Sequence, residues 1–450
     1  MVRKSRKVMT LDNKKKTVAV VGLGYIGIPF TAALANVGFR VIGVDIDPRK
    51  VASLSRDYAT DIYEPGVNDI LAKCRDCIEF TTDYSYALSK CEAVFITVGT
   101  PLKENDEPDY RYIDSAIASI GPHLKKGHVV VLKSTVILGT TEEYVLPRLE
   151  KLSALKAGED FFLAFCPERT IEGLALHELY NLPKIVGGVD AKSARMAAEF
   201  IMKLGSKVVI VSSPRVAEMC KLVDNFYRAT NIAFANEVGM LCEKIGINAH
   251  EVVSSVNDAY ARTNLFRPGL GADGPCLSKD PMIFRYTAHK YNLMPQIANG
   301  CISTNRESTL RLASIAEDFI RKHSLKNPKV SLVGLAFKGF PETDDVRGSP
   351  AVKIAEQLLK KVSDVQFRHF DPLVKNIGSI KSEDSVSDCV KDANVVMFLT
   401  NHPRIMNVDA VELVASVNKP CLIIDAWRNV IGYDKVKDAK DVDFFRIGVG

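Results

Sequence analysis

The stretch that most constrains this chain runs Thr17-Val-Ala-Val-Val21, Gly22-Leu-Gly24-Tyr-Ile-Gly27, then small and apolar residues from Ile28 to Val37. The β-branched run predicts a strand, the glycines a tight turn, and Ile28–Val37 a helix. A second run, Arg40-Val-Ile-Gly-Val44, ends at Asp45. Strand, turn, helix and strand in so short a span form a parallel unit. Strands this uniformly apolar must be covered on both faces.

The same grammar continues with predicted strands at Ala93–Val98, Val129–Lys133, Phe161–Phe165 and Lys184–Gly188, read as members of one parallel sheet. It then breaks. From Pro214 to Ile245 there is no strand signal, Pro214 suits a first helical turn, and Gly246 suits a C-terminal cap. The spacing predicts one long helix, a spacer between two lobes. Further helical sequence follows, interrupted by a glycine- and proline-broken loop, Gly271-Ala-Asp-Gly-Pro-Cys-Leu-Ser-Lys-Asp280.

Near residue 328 the strand grammar restarts at Lys329-Val-Ser-Leu-Val-Gly334, and continues at Val365–Phe370, Asn394–Leu399 and Cys421–Ile424. The expected architecture is α/β: two doubly wound domains of dinucleotide-fold type joined by a long central helix and a helical middle domain. The expected boundaries are a basic, disordered tail over 1–15, then 16–212, 213–325 and 326–450.

A chain of 450 residues is long for one core, which agrees with several domains. A net charge of +5 is too mild to imply nucleic-acid binding, and no apolar run reaches membrane-spanning length. The basic start, from Arg3 to Lys16, is followed by no apolar segment of the kind a secretion signal needs. Ten dispersed cysteines fit the reducing cytoplasm. Cys74 and Cys77 have no second pair at metal-ligand spacing, so no metal is expected.

Several motifs can carry chemistry. Gly22, Gly24 and Gly27 after a strand and before a helix permit the turn, backbone approach to a pyrophosphate, and close helix packing. Asp45 arrives where a ribose 2′-hydroxyl ligand belongs, so the unit predicts an NAD site. An acid there repels a 2′-phosphate, although Arg49 and Lys50 soften that preference. Thr100-Pro101 and Ser134-Thr135 end predicted strands, where ligands collect or where polar turns simply lie. Glu168 and Glu172 follow the strand at Phe161–Phe165, and read either as a surface turn or as an acid pair. Lys221, Asn225 and Arg228 share one helix face, either solvated or facing a site. Cys276 is either a small buried residue or a reactive thiol. Its polar, basic loop is of the kind that keeps a thiol accessible and lowers its pKa. The pairing matters because a two-electron hydride transfer needs no thiol, whereas a four-electron oxidation must hold an aldehyde covalently.

In order, G-L-G-Y-I-G, V-G-T-P, K-S-T-V, P-E-R with E-G, K-L-V-D-N, G-P-C-L-S-K-D and G-L-A-F-K resemble the nucleotide-sugar 6-dehydrogenase family from Lys16 to the C-terminus. The resemblance implies two dinucleotide-fold domains and a long helix that builds a homodimer. It implies NAD-dependent, four-electron oxidation of the C6 alcohol of a UDP-sugar to a uronate.

By resemblance, Cys276 is the nucleophile, Lys221 stabilises the oxyanion, and Asn225 and Asp280 orient lysine and water. Glu168 is the base for thioester hydrolysis, helped by Thr135. Gly22, Gly24, Tyr25, Ile26, Gly27, Asp45, Lys50, Thr100, Thr135, Glu172, Lys279 and Arg347 surround the cofactor. Substrate contacts fall to Glu168, Arg169, Lys221, Asn225, Arg228, Gly271, Lys338 and Arg428, with Arg262 and Arg267 competing to reach across a dimer. Pro167-Glu-Arg169 resembles the N-acetylhexosamine branch and Lys279-Asp280 the UDP-glucose branch. A UDP-N-acetylhexosamine, UDP-N-acetylmannosamine first, is expected, with UDP-glucose as the alternative. A two-electron hydroxyacid-type dehydrogenase or a non-catalytic nucleotide-sugar-binding protein are the remaining readings. Asp273, where the family usually has glycine, is expected to bring a negative charge toward the sugar pocket.

Overall fold

A computed structural model describes residues 15–104, 107–375, 377–378 and 380–450; all but Lys15 of the expected basic tail lies outside them. The first sheet holds β1 (Thr17–Val21), β2 (Arg40–Val44), β3 (Ile78–Thr81), β4 (Ala93–Ile96), β5 (Val129–Leu132), β6 (Phe162–Phe165), β7 (Lys184–Gly188) and β8 (Val208–Val211). Their order is β3-β2-β1-β4-β5-β6-β7-β8. Alternation explains the burial. Val18 and Val20 point into one helical layer, Ala19 and Val21 into the other. The helix Gly27–Asn36 can lie tight against β1 because Gly27 has no side chain; a Cβ there would stand 1.8 Å from the Gly22 carbonyl oxygen.

One seam corrects the expectation of a wholly parallel sheet. β6 and β7 pair antiparallel, with Phe165 opposite Gly187, while the other pairings are parallel. The connection between them carries the short helix Ala175–Asn181 and returns beside β6 without crossing the sheet. The edge strand β8, which the sequence reading passed over, leaves Val209 and Ile210 exposed.

The long helix spans Pro214–Ile245, as the caps predict: Ser213 accepts from the Val216 amide, and Gly246 takes a left-handed φ of 76°. Its buried stripe includes Lys221, Asn225, Ala229, Ala233 and Asn236, so the charged stripe is not a solvated face. It packs on Gln296–Lys322 and Asp280–Lys290; Phe226 stacks on Phe284 at 4.6 Å.

The second sheet contains β9 (Lys329–Val333), β10 (Gln366–Phe370), β11 (Lys381–Ser382), β12 (Val395–Phe398), β14 (Cys421–Asp425) and β16 (Val442–Arg446); β13 (Val408–Asp409) and β15 (Val430–Ile431) form a separate ladder. The order β11-β10-β9-β12-β14-β16 is parallel throughout, with its own apolar core. The architecture is therefore two doubly wound α/β units around a helical centre. Among the described residues no helix is long and apolar enough to cross a membrane.

Candidate active site

β1, β4, β5 and β6 present their carboxyl ends along one edge, and the strand order reverses between β1 and β4. Such a switch point opens a crevice. Here it measures about 380 Å³ and is lined by Gly22, Leu23, Gly24, Asp45, Lys50, Val98 and Gly99, among others. Gly22 turns with φ +95°, and no atom lies within 4 Å of where a Cβ on Gly24 would stand. The helix Gly27–Asn36 begins just beyond, so its positive end faces the crevice. Asp45 is fixed at the mouth: Oδ2 accepts from the Leu23 amide at 2.8 Å and from Lys50 Nζ at 3.0 Å, and Oδ1 from the Asp47 amide at 3.0 Å. A glycine cradle with a held carboxylate fits the pyrophosphate and ribose of NAD.

The neighbouring turn joins this crevice to the C-terminal unit. Tyr25 donates to Asp344 at 3.4 Å, and the Arg347 guanidinium lies 4.4 Å from the centre of the Tyr25 ring. Ile26 directly precedes the helix. Arg347 is gripped by Asp345 at 2.7–2.9 Å and reaches Glu172 at 3.4 Å. Glu172 also accepts from the Thr343 hydroxyl at 3.1 Å. Burial, then the charge of Asp345, push its pKa up to about 7 against the pull of Arg347.

Lys338 donates to the backbone oxygens of Glu172, at 2.7 Å, and of Pro341. Burial lowers it to about 8, although nearby carboxylates oppose that. In this state its ammonium braces the domain junction.

The Cys276 loop meets the same edge. Lys279 Nζ donates to the Thr100 carbonyl at 3.0 Å and its hydroxyl at 3.3 Å, and Thr100 Oγ1 donates to the Thr135 carbonyl at 2.6 Å. Behind it, Asn225 Nδ2 donates to Asp280 Oδ2 at 2.6 Å, while Asp280 Oδ1 lies 3.6 Å from Lys279 Nζ.

Cys276 keeps an exposed surface. Its thiol pKa is nonetheless raised, which corrects the expectation of a lowered one: enclosure in the cleft outweighs Lys221 and Lys279, and Asp280 and Glu172 add to the rise. The structure thus brings Lys221, Asn225, Lys279 and Asp280 to the cysteine, and places Arg228 half-buried farther along the helix.

Glu168 turns inward. Oε1 accepts from the Arg169 amide at 2.9 Å and the Thr170 amide at 3.1 Å. Oε2 pairs with Lys133 at 3.2 Å, with Lys184 at 3.9 Å from Oε1. Burial opposes ionisation, but Lys133 and Lys184 overcome it and hold the carboxyl down at about 2. That is far below the near-neutral range in which a general base works best. Lys133 itself is fully enclosed, over the Phe30 ring at 4.6 Å and 3.4 Å from the Cys166 carbonyl. The sequence reading quoted K-S-T-V and passed over this lysine; its position at the end of an apolar strand was the available signal.

Arg169 donates to the Pro183 carbonyl at 2.6 Å and lies 4.0 Å from Asp224. Gly271 lies against Asn305, whose oxygen would be 2.1 Å from a Cβ there. Two unpredicted asparagines hold the loop: Asn236 accepts from the Gly269 amide at 2.8 Å, and Asn305 from the Ala272 amide at 2.9 Å. Arg262 and Arg267 are both exposed, Arg262 over Tyr260, and the structure does not bring either onto the loop's hydrogen-bond network. Arg428 is exposed in a left-handed conformation just past β14, at the carboxyl edge of the second sheet. Asp273 is not an open charge: its buried carboxyl pairs with Lys353 and accepts the Thr309 hydroxyl at 2.7 Å.

Comparison with known proteins agrees with this layout. Residues 16–204 match the NAD-binding domain of the UDP-glucose/GDP-mannose dehydrogenase family, 215–307 its central domain, and 331–432 its UDP-binding domain. The UDP-N-acetyl-D-mannosamine dehydrogenase of Pyrococcus horikoshii is 32% identical over 417 residues, 92% of this chain and 96% of that protein. A solved UDP-D-ManNAc dehydrogenase from Pyrococcus horikoshii superposes with a TM-score of 0.84 at 29% identity, covering 96% of this chain and 99% of the other. A UDP-glucose dehydrogenase from Pyrobaculum islandicum gives 0.82 at 26%, covering 98% and 99%. The chain belongs to the UDP-glucose/GDP-mannose dehydrogenase family and is an NAD-dependent UDP-sugar dehydrogenase acting on a CH–OH group.

Proposed function

We propose that this enzyme oxidises the C6 alcohol of a UDP-N-acetylhexosamine, UDP-N-acetyl-D-mannosamine first, to the uronate in two hydride transfers through Cys276. The observation that carries the proposal is the junction of Cys276, Lys221 and the Asn225–Asp280 pair with the strand edge, through Lys279 and Thr100. The N-acetylhexosamine reading is supported by Pro167-Glu-Arg169 and by the name of the Pyrococcus horikoshii relative.

Bound NAD supplies the hydride acceptor, one molecule for each oxidation. In the first, the C6 alcohol loses a hydride and a proton and becomes an aldehyde. The Cys276 sulfur then bonds to that carbon, and the carbonyl oxygen takes a proton to give a thiohemiacetal. Lys221 offsets the charge on that oxygen. Loss of a second hydride and a proton leaves a thioester. Water adds, the C–S bond breaks, and the products are the carboxylate and the restored thiol. Because the thiol pKa is raised, Cys276 must lose its proton within the site, and Lys221 is the nearby positive charge that favours the thiolate.

Glu168 enters hydrolysis as a fixed anion that orients water, its charge kept by Lys133. Thr135, three residues past β5 with its carbonyl accepting the Thr100 hydroxyl at 2.6 Å, offers that water a further polar group. Arg169, Arg228, Lys338 and Arg428 provide the positive charge toward the diphosphate and sugar. The exposed apolar residues of the long helix, Val216, Val223, Tyr227, Phe234, Leu241 and Ile245, support a homodimer through this helix. Arg262 or Arg267 then enters the neighbouring site. The ten free thiols fit the reducing cytoplasm.

The test is the NADH yield from a panel of UDP-N-acetylmannosamine, UDP-N-acetylglucosamine, UDP-N-acetylgalactosamine, UDP-glucose and GDP-mannose. Two NADH per molecule of UDP-N-acetylmannosamine is expected. One per sugar rejects the four-electron mechanism, and turnover confined to UDP-glucose rejects the substrate assignment.

A further inference from the structure

Asp273 precedes Cys276 by three residues, and its carboxyl is buried. A carboxylate taken out of water is costly unless it is paired. Asp273 has two partners, and both belong to other elements. Thr309, on the helix Gln296–Lys322, donates its hydroxyl to Oδ2 at 2.7 Å. Lys353, on the helix Pro350–Lys361, pairs with Oδ1. Next to this anchor the Gly274 amide donates to the Gly348 carbonyl at 3.1 Å, and Ser278 Oγ closes the turn onto the Gly274 carbonyl at 2.6 Å.

The element that carries Lys353 also touches the cofactor side. Its helix starts at Pro350, directly after Arg347-Gly-Ser349. Arg347 lies over Tyr25 in the dinucleotide turn and reaches Glu172. Within one short segment, therefore, Arg347 contacts the N-terminal unit, Gly348 holds the cysteine loop by its backbone, and Lys353 holds it by charge. The loop itself offers little stiffness of its own, since Gly271 and Gly274 flank the anchor.

We propose that Asp273 and Lys353 are positioning residues that fix the register of the Cys276 loop and tie it to the docking of the C-terminal unit on the dinucleotide turn. The proposal deepens the reading of Cys276 as nucleophile and rests on it. Its physical content is selective. The first hydride leaves the alcohol before the thiol is needed, so loop register bears most on attack at the aldehyde and on the second oxidation. A displacement of about 1 Å at a reacting group costs on the order of a hundredfold in rate.

Rapid mixing of the full-length protein with NAD and UDP-N-acetylmannosamine, or the panel member that turns over, tests this. Lys353 is partly exposed, so Lys353→Met removes the charge without opening a core. Asp273 then keeps Thr309 and loses the cation that opposes the upward push of burial on its pKa. The expected result is a first NADH per site at the wild-type rate and a second slowed about tenfold or more, the scale set by misplacement of a reacting group. The KM for each substrate stays unchanged, and Lys353→Arg restores the second phase.

Asp273→Asn, which keeps shape and loses charge, reproduces the defect, and the double variant is no worse than either single one because the two act as a unit. Equal slowing of both phases, or no change in either, overturns the proposal. A wild-type yield of one NADH per sugar would instead reject the four-electron reading, so the two failures are distinguishable.

Discussion

Asn225 Nδ2 donates to Asp280 Oδ2 at 2.6 Å, and both residues are buried against the nucleophile loop. The bond joins the long helix to the first turn of Asp280–Lys290 and orients the carboxylate whose other oxygen faces Lys279. Asn225→Ala would leave a buried carboxylate oxygen without its donor, at a cost of about 1–3 kcal/mol. The expected outcome is a fall in kcat of roughly tenfold or more with little change in KM, the pattern of an interaction used in the transition state. Steady-state kinetics with NAD and the UDP-sugar check it; a rise in KM alone would contradict it.

The Lys133–Glu168 pair is enclosed, so its loss is predicted to show in stability before activity. Against the upward push of burial, Lys133 and Lys184 hold the Glu168 carboxyl down at about 2, well below the usual glutamate range. A depressed carboxyl contributes stability that is present above its unfolded pKa and disappears as pH falls through the folded one. Lys133→Met leaves that carboxylate with Lys184 alone and is expected to cost about 3–5 kcal/mol at pH 7. Lys133→Met with Glu168→Gln, which removes both charges, should recover much of the loss. Urea unfolding of the three proteins measures it.

How far residues could be read from the sequence follows the range of the forces involved. The unit from Thr17 to Asp45 and the helix from Pro214 to Ile245 were legible because local propensity, caps and buried patterning agree there. β8 was passed over although Val208–Val211 is as apolar a run as Val129–Leu132; the two differ in burial, since β8 is a half-buried to exposed edge strand, which local sequence does not encode. The reversed seam at β6 and β7 was missed because strand direction depends on how a connection returns, which no local pattern encodes. In the site, Lys221, Asn225 and Asp280 were legible as a set once the resemblance grouped them. Lys133 and the pairing of Asp273 were not, since each depends on a partner far along the chain: Glu168 for one, Thr309 and Lys353 for the other.

Glu172 gives the domain junction a pH dependence of stated sign. Burial, then the charge of Asp345, raise its folded pKa to about 7, above the usual glutamate range, so the folded chain binds the extra proton between that range and pH 7. The stability it contributes is full below the unfolded pKa and is lost as pH rises through about 7. Thermal unfolding should therefore occur at higher temperature at pH 6 than at pH 8. Glu172→Gln, neutral at both, should flatten that difference. A dependence unchanged in the variant would place the titration elsewhere.

Asp45 and Lys50 make opposing contributions to cofactor choice, and their 3.0 Å contact predicts how each variant behaves. The carboxylate stands where a 2′-phosphate would have to enter, and like charges a few ångströms apart repel by up to about 4 kcal/mol at an effective dielectric near 20. Lys50 is partly exposed, so it cancels only part of that field. Wild-type protein is thus expected to favour NAD over NADP in kcat/KM. Asp45→Asn keeps one acceptor oxygen, which can serve the Leu23 or the Asp47 amide but not both, and it removes the repulsion. Its NAD preference should fall about tenfold, the equivalent of roughly 1.4 kcal/mol. Lys50→Met should move the ratio the other way, by exposing the full charge of Asp45. Paired kcat/KM measurements decide it: opposite shifts in the two variants support the electrostatic account, and parallel shifts mean that Asp45 acts through the shape of the turn instead.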